Sequence, residues 1–218
     1  MSKENYTHII MILDRSGSMS TIKKDMEGGL NEFITKQQKV EGEATLTFAQ
    51  FDDKYELVHD NVIIADVEKL DLEPRGGTAL LDAIGKTLNT ERDRIKKMNE
   101  NDQPSKIACV IITDGEENSS REYTQEQIKE KTEKQTKDNN WDFIFMGADQ
   151  DAWSNAKGYG IGNSVNFSQK DMGKTIKGAT YYSSNARNYS ADLSMDNFNL
   201  TEDQLDDKIE DLKNTPKK

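Results

Sequence analysis

The sequence predicts an α/β fold: a doubly wound, mostly parallel sheet with one antiparallel edge strand and helices on both faces. Three observations predict it. The runs Ile9-Ile10-Met11-Ile12-Leu13 and Ile107-Ala108-Cys109-Val110-Ile111-Ile112 are uninterruptedly apolar, which suits strands buried on both faces in the middle of a parallel sheet. Strand-like and helix-like stretches alternate through much of the chain, the pattern of βα units. Finally, Ala44–Phe51 and Tyr55–His59 are separated only by Asp52-Asp53-Lys54. That connection is too short for a parallel crossover and implies a hairpin, so one edge strand runs antiparallel.

The elements follow in order. After the first strand, Ile22, Met26, Leu30, Phe33 and Ile34 recur at helical spacing. Gly28-Gly29 inside that helix costs roughly 1 kcal/mol per glycine against alanine, and close approach of the helix backbone to the sheet is the expected compensation. The hairpin comes next, and Val62-Ile63-Ile64 either extends its edge or begins the connection toward Glu73-Pro74-Arg75-Gly76-Gly77. Thr78 then opens a helix with Leu81, Ile84 and Leu88 on one face and a charged end at Glu91–Lys97. A turn-rich loop at 99–105 leads into the second buried strand, Lys106–Thr113. Thr124-x-x-Gln127 has the form of a capping box for a polar outer helix. Trp141–Gly147 is the next strand, with a short helix around Ala152-Trp153 and a last edge strand at 164–168. Met172, Ile176, Ala179 and Tyr182 suit an amphipathic helix. Residues 183–199 have no period, and Leu200-Thr201-x-x-Gln204-Leu205 carries a capping box and hydrophobic staple for a short acidic helix. The expected division is one domain over 1–190 and a polar C-terminal segment over 191–218.

Composition narrows the function. The chain has 218 residues and a net charge of −11. Nucleic acid and anionic lipid bind through Lys and Arg neutralising phosphate, so both are disfavoured as partners. No run approaches the roughly 18 apolar residues that span a bilayer, and the N-terminus lacks a charged-then-apolar leader pattern. With Cys109 the one cysteine, no disulfide forms within the chain. A reducing, cytoplasmic setting is the expectation.

The chemistry concentrates where the first strand ends. Asp14, Ser16 and Ser18 put side-chain oxygens at alternate positions of the turn Asp14-Arg15-Ser16-Gly17-Ser18. Open α/β sheets bind ligands at the carboxyl ends of their strands. Oxygen-only donors suit a hard divalent ion, Mg²⁺ before Zn²⁺. The alternative use of such residues is to cap the first helix.

Asp14-Arg15-Ser16-Gly17-Ser18 resembles the Asp-x-Ser-x-Ser signature of von Willebrand factor type A domains, part of that family's metal-ion-dependent adhesion site. The family's two further pieces have counterparts in the expected order. Thr78 lies in Gly76-Gly77-Thr78-Ala79-Leu80, and Asp114 in Ile111-Ile112-Thr113-Asp114-Gly115. The resemblance covers about residues 5 to 150 and implies a Rossmann-like sheet. It also implies Mg²⁺ (or Mn²⁺) held by Asp14, Ser16, Ser18, Thr78 and Asp114. The partner it implies is a protein supplying an Asp or Glu carboxylate to the ion. Without a leader, the chain is most similar to small intracellular forms from bacteria and their phages.

Of the acidic neighbours, Asp82 reads as an orienting hydrogen-bond acceptor and Glu116-Glu117 as a solvated rim. Asp149 and Asp151 read as helix caps that could also touch the partner. Enzyme readings fail on their residues. The haloacid dehalogenase phosphatases need a second Asp where Ser16 stands. Gly173-Lys174-Thr175 lacks the P-loop's earlier glycine, that position being Ser168. Gly158-Tyr159-Gly160-Ile161-Gly162 follows a helix and reads as a helix end and turn. His8 and His59 are too few for a zinc site or a triad, and Cys109 reads as a buried small hydrophobe. The expected function is therefore metal-dependent protein binding without catalysis. The alternatives are metal-dependent binding or hydrolysis of a phosphorylated small molecule, and an assembly subunit with a vestigial site.

Overall fold

In a computed structural model of the chain, the residues described are 3–148, 152–167, 176–180, 182–184 and 207. Six strands form one sheet in the order β3-β2-β1-β4-β5-β6. They are β1 (Lys3–Asp14), β2 (Glu43–Phe51), β3 (Tyr55–Ile63), β4 (Pro104–Thr113), β5 (Trp141–Ala148) and β6 (Ser164–Phe167). Every pairing is parallel except β2 with β3, so the antiparallel edge expected from the three-residue connection is present.

The apolar runs become two cores because successive strand side chains point to opposite faces. Ile9, Met11 and Leu13 of β1 join Ala108, Val110 and Ile112 of β4 on one face. Ile10 and Ile12 join Ile107, Cys109 and Ile111 on the other. Helix α1 (Lys23–Gln37) covers the first face through Met26, Leu30, Phe33 and Ile34. The second face lies under α2 (Leu80–Lys97), α3 (Gln125–Asn139) and α4 (Ala152–Gly158), with Ile84, Leu88, Ile128 and Ala156 buried.

The first face has a second cover that periodicity did not reveal. Residues 64–77 run across α1 as a strap, burying Val67, Leu70 and Leu72. Side chains hold its backbone: Asn31 donates to Leu70 O at 2.9 Å and accepts from Leu70 N at 2.8 Å. Glu27 accepts from Leu72 N, and Gln50 donates to Asp71 O. A strap without its own ladder needs such partners, because buried backbone groups are costly unpaired.

Gly29 departs from expectation. Its tight neighbour is Ile176, whose Cγ1 would lie 2.6 Å from an added Cβ, rather than the sheet, and Gly28 faces open space. Helical residues 176–180 and 182–184 pack on α1 there, with Ile176, Ala179 and Tyr182 in the core. Gln37 donates to Thr180 O and Ser184 Oγ.

The capping box of α3 forms as expected between Thr124 and Gln127. The glycine-rich stretch after α4 is a helix end and turn, with Ile161 N donating to Ala156 O and Gly160 at φ +71°. Cys109 is fully buried, and burial pushes its thiol pKa far up. The segment 168–175, the domain boundary at 190 and nearly all of the proposed C-terminal helix lie outside the described residues, as do Asp149 and Asp151.

Candidate metal centre

Strand order reverses between β1 and β4, and both run in the same direction. Their carboxyl ends therefore open side by side at the crevice where doubly wound sheets take ligands. Asp14 ends β1, and Asp114 directly follows Thr113 at the end of β4. The central pairing itself brings together two carboxylates remote in sequence.

Hydroxyls link them. Ser18 Oγ donates to Asp114 Oδ1 at 2.7 Å and lies 3.0 Å from Ser16 Oγ. Thr113 Oγ1 donates to Asp14 Oδ2 at 2.6 Å, and Ser16 N to Asp14 Oδ1 at 2.6 Å. Gly115 marks the shared space. A methyl group there would lie 3.2 Å from Thr78 Oγ1, 3.7 Å from Ser18 Oγ and 3.8 Å from Asp14 Oδ2. Oxygens from the Asp14 turn and the Thr78 loop thus face Gly115 of the Asp114 loop around one small volume.

The capping alternative fails on geometry. The turn Gly17–Thr21 and α1 both begin without a side-chain cap. Helix α2 starts at Leu80, so Thr78 stands in the loop before it rather than opening the helix, and its hydroxyl is not used as a cap.

Asp14, Ser16 and Thr78 are buried, whereas Ser18 is exposed, so the volume is reached from the Ser18 side. Burial pushes the Asp14 pKa up to about 6; the bonds from Thr113 and Ser16 oppose the rise and the nearby Asp114 charge adds to it. A carboxyl whose folded pKa exceeds its unfolded value of 3.8 stabilises the fold below that value. That contribution is lost as pH rises through about 6. At neutral pH the fold therefore carries a desolvated anion that a cation would relieve.

The loops are held from beneath by groups the sequence did not single out. Arg15, buried behind the Asp14 turn, donates to Asp52 Oδ2 at 2.8 Å and to Glu56 at 2.5 Å. Arg75 donates to the same Asp52 oxygen at 2.9 Å, and Lys54 N to the other at 2.7 Å. Burial would raise the pKa of Asp52, but hydrogen bonds from Arg75, Lys54 N and Arg15, with the Arg15 charge, hold it below the usual range. Backbone bonds repeat the link: Arg75 N to Arg15 O, Gly17 N to Gly76 O and Ala79 N to Asp52 O. On the other side, Asn118 Oδ1 accepts from Thr78 N, and Asn118 N and Ser119 N donate to Thr78 O.

One acidic reading changes. Glu117 is an organiser rather than a solvated rim: it accepts from Ser119 N, Ser120 N, Ser120 Oγ and Leu81 N at the start of α2. Glu116 is exposed, as expected of a rim. Asp82 is the orienting acceptor expected, taking hydrogen bonds from Arg121 N, Glu122 N and Tyr123 N in the segment beyond the site. The signal missed for Thr113 was available, since a hydroxyl closing a buried strand beside a parallel neighbour's Asp is in bonding reach. Nothing in Asp52-Asp53-Lys54 distinguishes a buried clamp from a surface turn.

The donor set, two carboxylates and three hydroxyls, fits a hard cation that retains water. Among the described residues no three His, Cys, Asp or Glu side chains gather as a metal cluster, so the centre depends on its hydroxyls.

No protein-family model and no curated protein matches the chain. Solved structures do. The vWF domain of the type V pili tip protein Mfa5 from Porphyromonas gingivalis matches with a TM-score of 0.55 and 10% identity, over 80% of this chain and 93% of that one. A von Willebrand factor type A protein from Catenulispora acidiphila matches at 0.53 and 13%, over 80% and 42%. Manganese-loaded Plasmodium vivax TRAP protein matches at 0.50 and 17%, over 79% and 72%. The chain has the von Willebrand factor type A fold. Identities this low carry the fold alone, and the chain spans less than half the length of several proteins it matches. Within the type A fold, the Asp14 turn, the Thr78 loop and the Asp114 loop meet at one sheet end. No helix among the described residues is long and apolar enough to cross a membrane.

Proposed function

We infer that the protein is a metal-dependent protein-binding module. A Mg²⁺ or Mn²⁺ ion held by Asp14, Ser16, Ser18, Thr78 and Asp114 engages an Asp or Glu of a partner. The observation that carries this reading is the convergence of Thr78, Ser18 and Asp14 oxygens around the volume at Gly115. Manganese in the TRAP protein of the same fold supports it. Such an ion is a Lewis acid whose remaining position favours anionic oxygen. The chain's own residues leave Ser18 at the solvent side for that approach, and Asp14 is ionised above about pH 6 despite its burial.

Hydrolysis of a phosphorylated compound needs a general base, and the two candidates are poorly suited. Asp82 spends both oxygens on backbone N–H groups, and Glu116 is an exposed side chain that no group among the described residues orients. We therefore read the module as binding without catalysis. A cytoplasmic setting belongs to the same proposal and rests on the single, buried Cys109.

Capture of a protein partner from lysate on the immobilised chain tests the reading. It is expected in Mg²⁺ or Mn²⁺ and lost in chelator; capture that ignores chelator rejects it. Metal affinity also depends on pH with a definite sign. Protons compete for Asp14, so affinity falls roughly tenfold per pH unit below about 6 and levels off above it. Calorimetric titration from pH 5 to 8 checks this, and a flat profile contradicts it.

A further inference from the structure

Among the described residues, Thr78 is the one proposed donor whose side chain makes no hydrogen bond. Asp14, Ser16, Ser18 and Asp114 are each held by neighbours, while no group grips the Thr78 hydroxyl. Yet Thr78 is buried, and its Oγ1 faces Gly115, 3.2 Å from where a Cβ would lie. A hydroxyl without a partner takes its direction from its backbone and from the few χ1 rotamers open to a β-branched side chain.

Asn118 fixes that backbone at both of its polar groups. Its Oδ1 accepts from Thr78 N at 3.0 Å, and its own N–H donates to Thr78 O at 3.0 Å. Ser119 braces the ring so formed, its N donating to Thr78 O at 3.1 Å and its Oγ to Asn118 Oδ1 at 2.6 Å. The residue before Thr78 makes room for the contact: a Cβ on Gly77 would press against Ser119 Oγ and lie 3.0 Å from Asn118 Oδ1. Asn118 is exposed, so what its side chain contributes is these bonds and not core packing.

We propose that Asn118 is a positioning residue of the metal centre: through the Thr78 backbone it aims Thr78 Oγ1 at the volume beside Gly115 before any ion arrives. The inference rests on the metal reading above. Asn118 belongs to the same loop as Asp114, so the clasp makes the Thr78 and Asp114 loops one unit. An ion then meets donors already assembled, and the cost of ordering the Thr78 side chain is not subtracted from its affinity.

Two measurements on the full chain test this. In the metal-free protein, three-bond NMR couplings to the Thr78 methyl carbon report χ1. A single rotamer is expected in the unmodified chain and rotamer averaging in Asn118→Ala. Asn118→Asp keeps an acceptor for Thr78 N and should retain the single rotamer. Calorimetric Mg²⁺ affinity should fall roughly tenfold in Asn118→Ala, as on loss of a partner that orients a ligand. In a Thr78→Val background the same substitution should change affinity less than about twofold, because the hydroxyl it acts through is already gone. Its effect on urea unfolding should be equal in both backgrounds, since the bond to Thr78 N survives Thr78→Val. A single Thr78 rotamer retained in Asn118→Ala overturns the proposal, as does an equal loss of Mg²⁺ affinity with and without the Thr78 hydroxyl. Absence of Mg²⁺ binding by the unmodified chain would instead reject the metal centre, while the couplings still decide whether Asn118 orients Thr78.

Discussion

Asp14→Ala is expected to abolish Mg²⁺ binding, lowering affinity at least about a hundredfold, while the fold survives. The substitution removes one of the centre's two carboxylates, whose Oδ2 borders the volume at Gly115. The remaining charge, Asp114, and three neutral hydroxyls cannot offset the cost of dehydrating Mg²⁺. The stability argument has two opposing parts. Thr113 Oγ1 and Ser16 N lose their acceptor, at about 1–3 kcal/mol for each group left buried and unsatisfied. The variant also sheds a carboxylate whose pKa is pushed up to about 6, a buried charge costing about 3 kcal/mol at neutral pH. Without metal the variant should therefore unfold within about 2 kcal/mol of the parent. Calorimetry and urea denaturation measure the two quantities. Metal affinity retained in the variant would refute the proposed donor set.

Asp52→Ala has the larger expected effect on stability, about 3–5 kcal/mol, although Asp52 touches no proposed metal ligand side chain. The Asp52 carboxylate is fully buried and serves Arg15, Arg75 and the Lys54 backbone. Removing it leaves the Arg15 guanidinium, itself only 4% exposed, with Glu56 and Gln50 as its remaining acceptors, and breaking a buried pair by deleting one partner carries a cost of this order. Thermal unfolding should begin roughly 10 °C lower. The lowered pKa of Asp52 fixes the sign of the pH effect: its contribution is present above about pH 4 and is lost as pH falls through that pKa. Metal binding should weaken too, because the Arg15–Asp52–Arg75 links tie the Asp14 turn to the strand of chain leading into Thr78. A loss below about 1 kcal/mol would mean that the clamp is not a structural support.

Much of the architecture was legible in the residues, for identifiable reasons. Ile9–Leu13 and Ile107–Ile112 are apolar at every position because β1 and β4 bury both faces. The three-residue link at Asp52–Lys54 dictated the antiparallel edge, and Thr124 with Gln127 announced the start of α3. The five proposed donor residues stand out as polar side chains at the boundaries of apolar strands and helices. What stayed hidden is what depends on contacts remote in sequence. The strap at 64–77 has no period, since its order comes from Asn31, Glu27 and Gln50 on other elements. Gly29 was legible as a close approach, but its neighbour Ile176 was not. Glu117 looked like surface charge because its four donors are set by the loop's folded path, and Asp52 looked like a turn residue for the same reason.

The hydrogen bond from Thr113 to Asp14 spans 99 positions of the chain. No shorter piece of the polypeptide contains both halves of the crevice, and contacts of such long range form only after the costly closure of the intervening loop. A chain emerging from the ribosome thus cannot assemble the proposed metal centre until β4 has been synthesised and has docked beside β1.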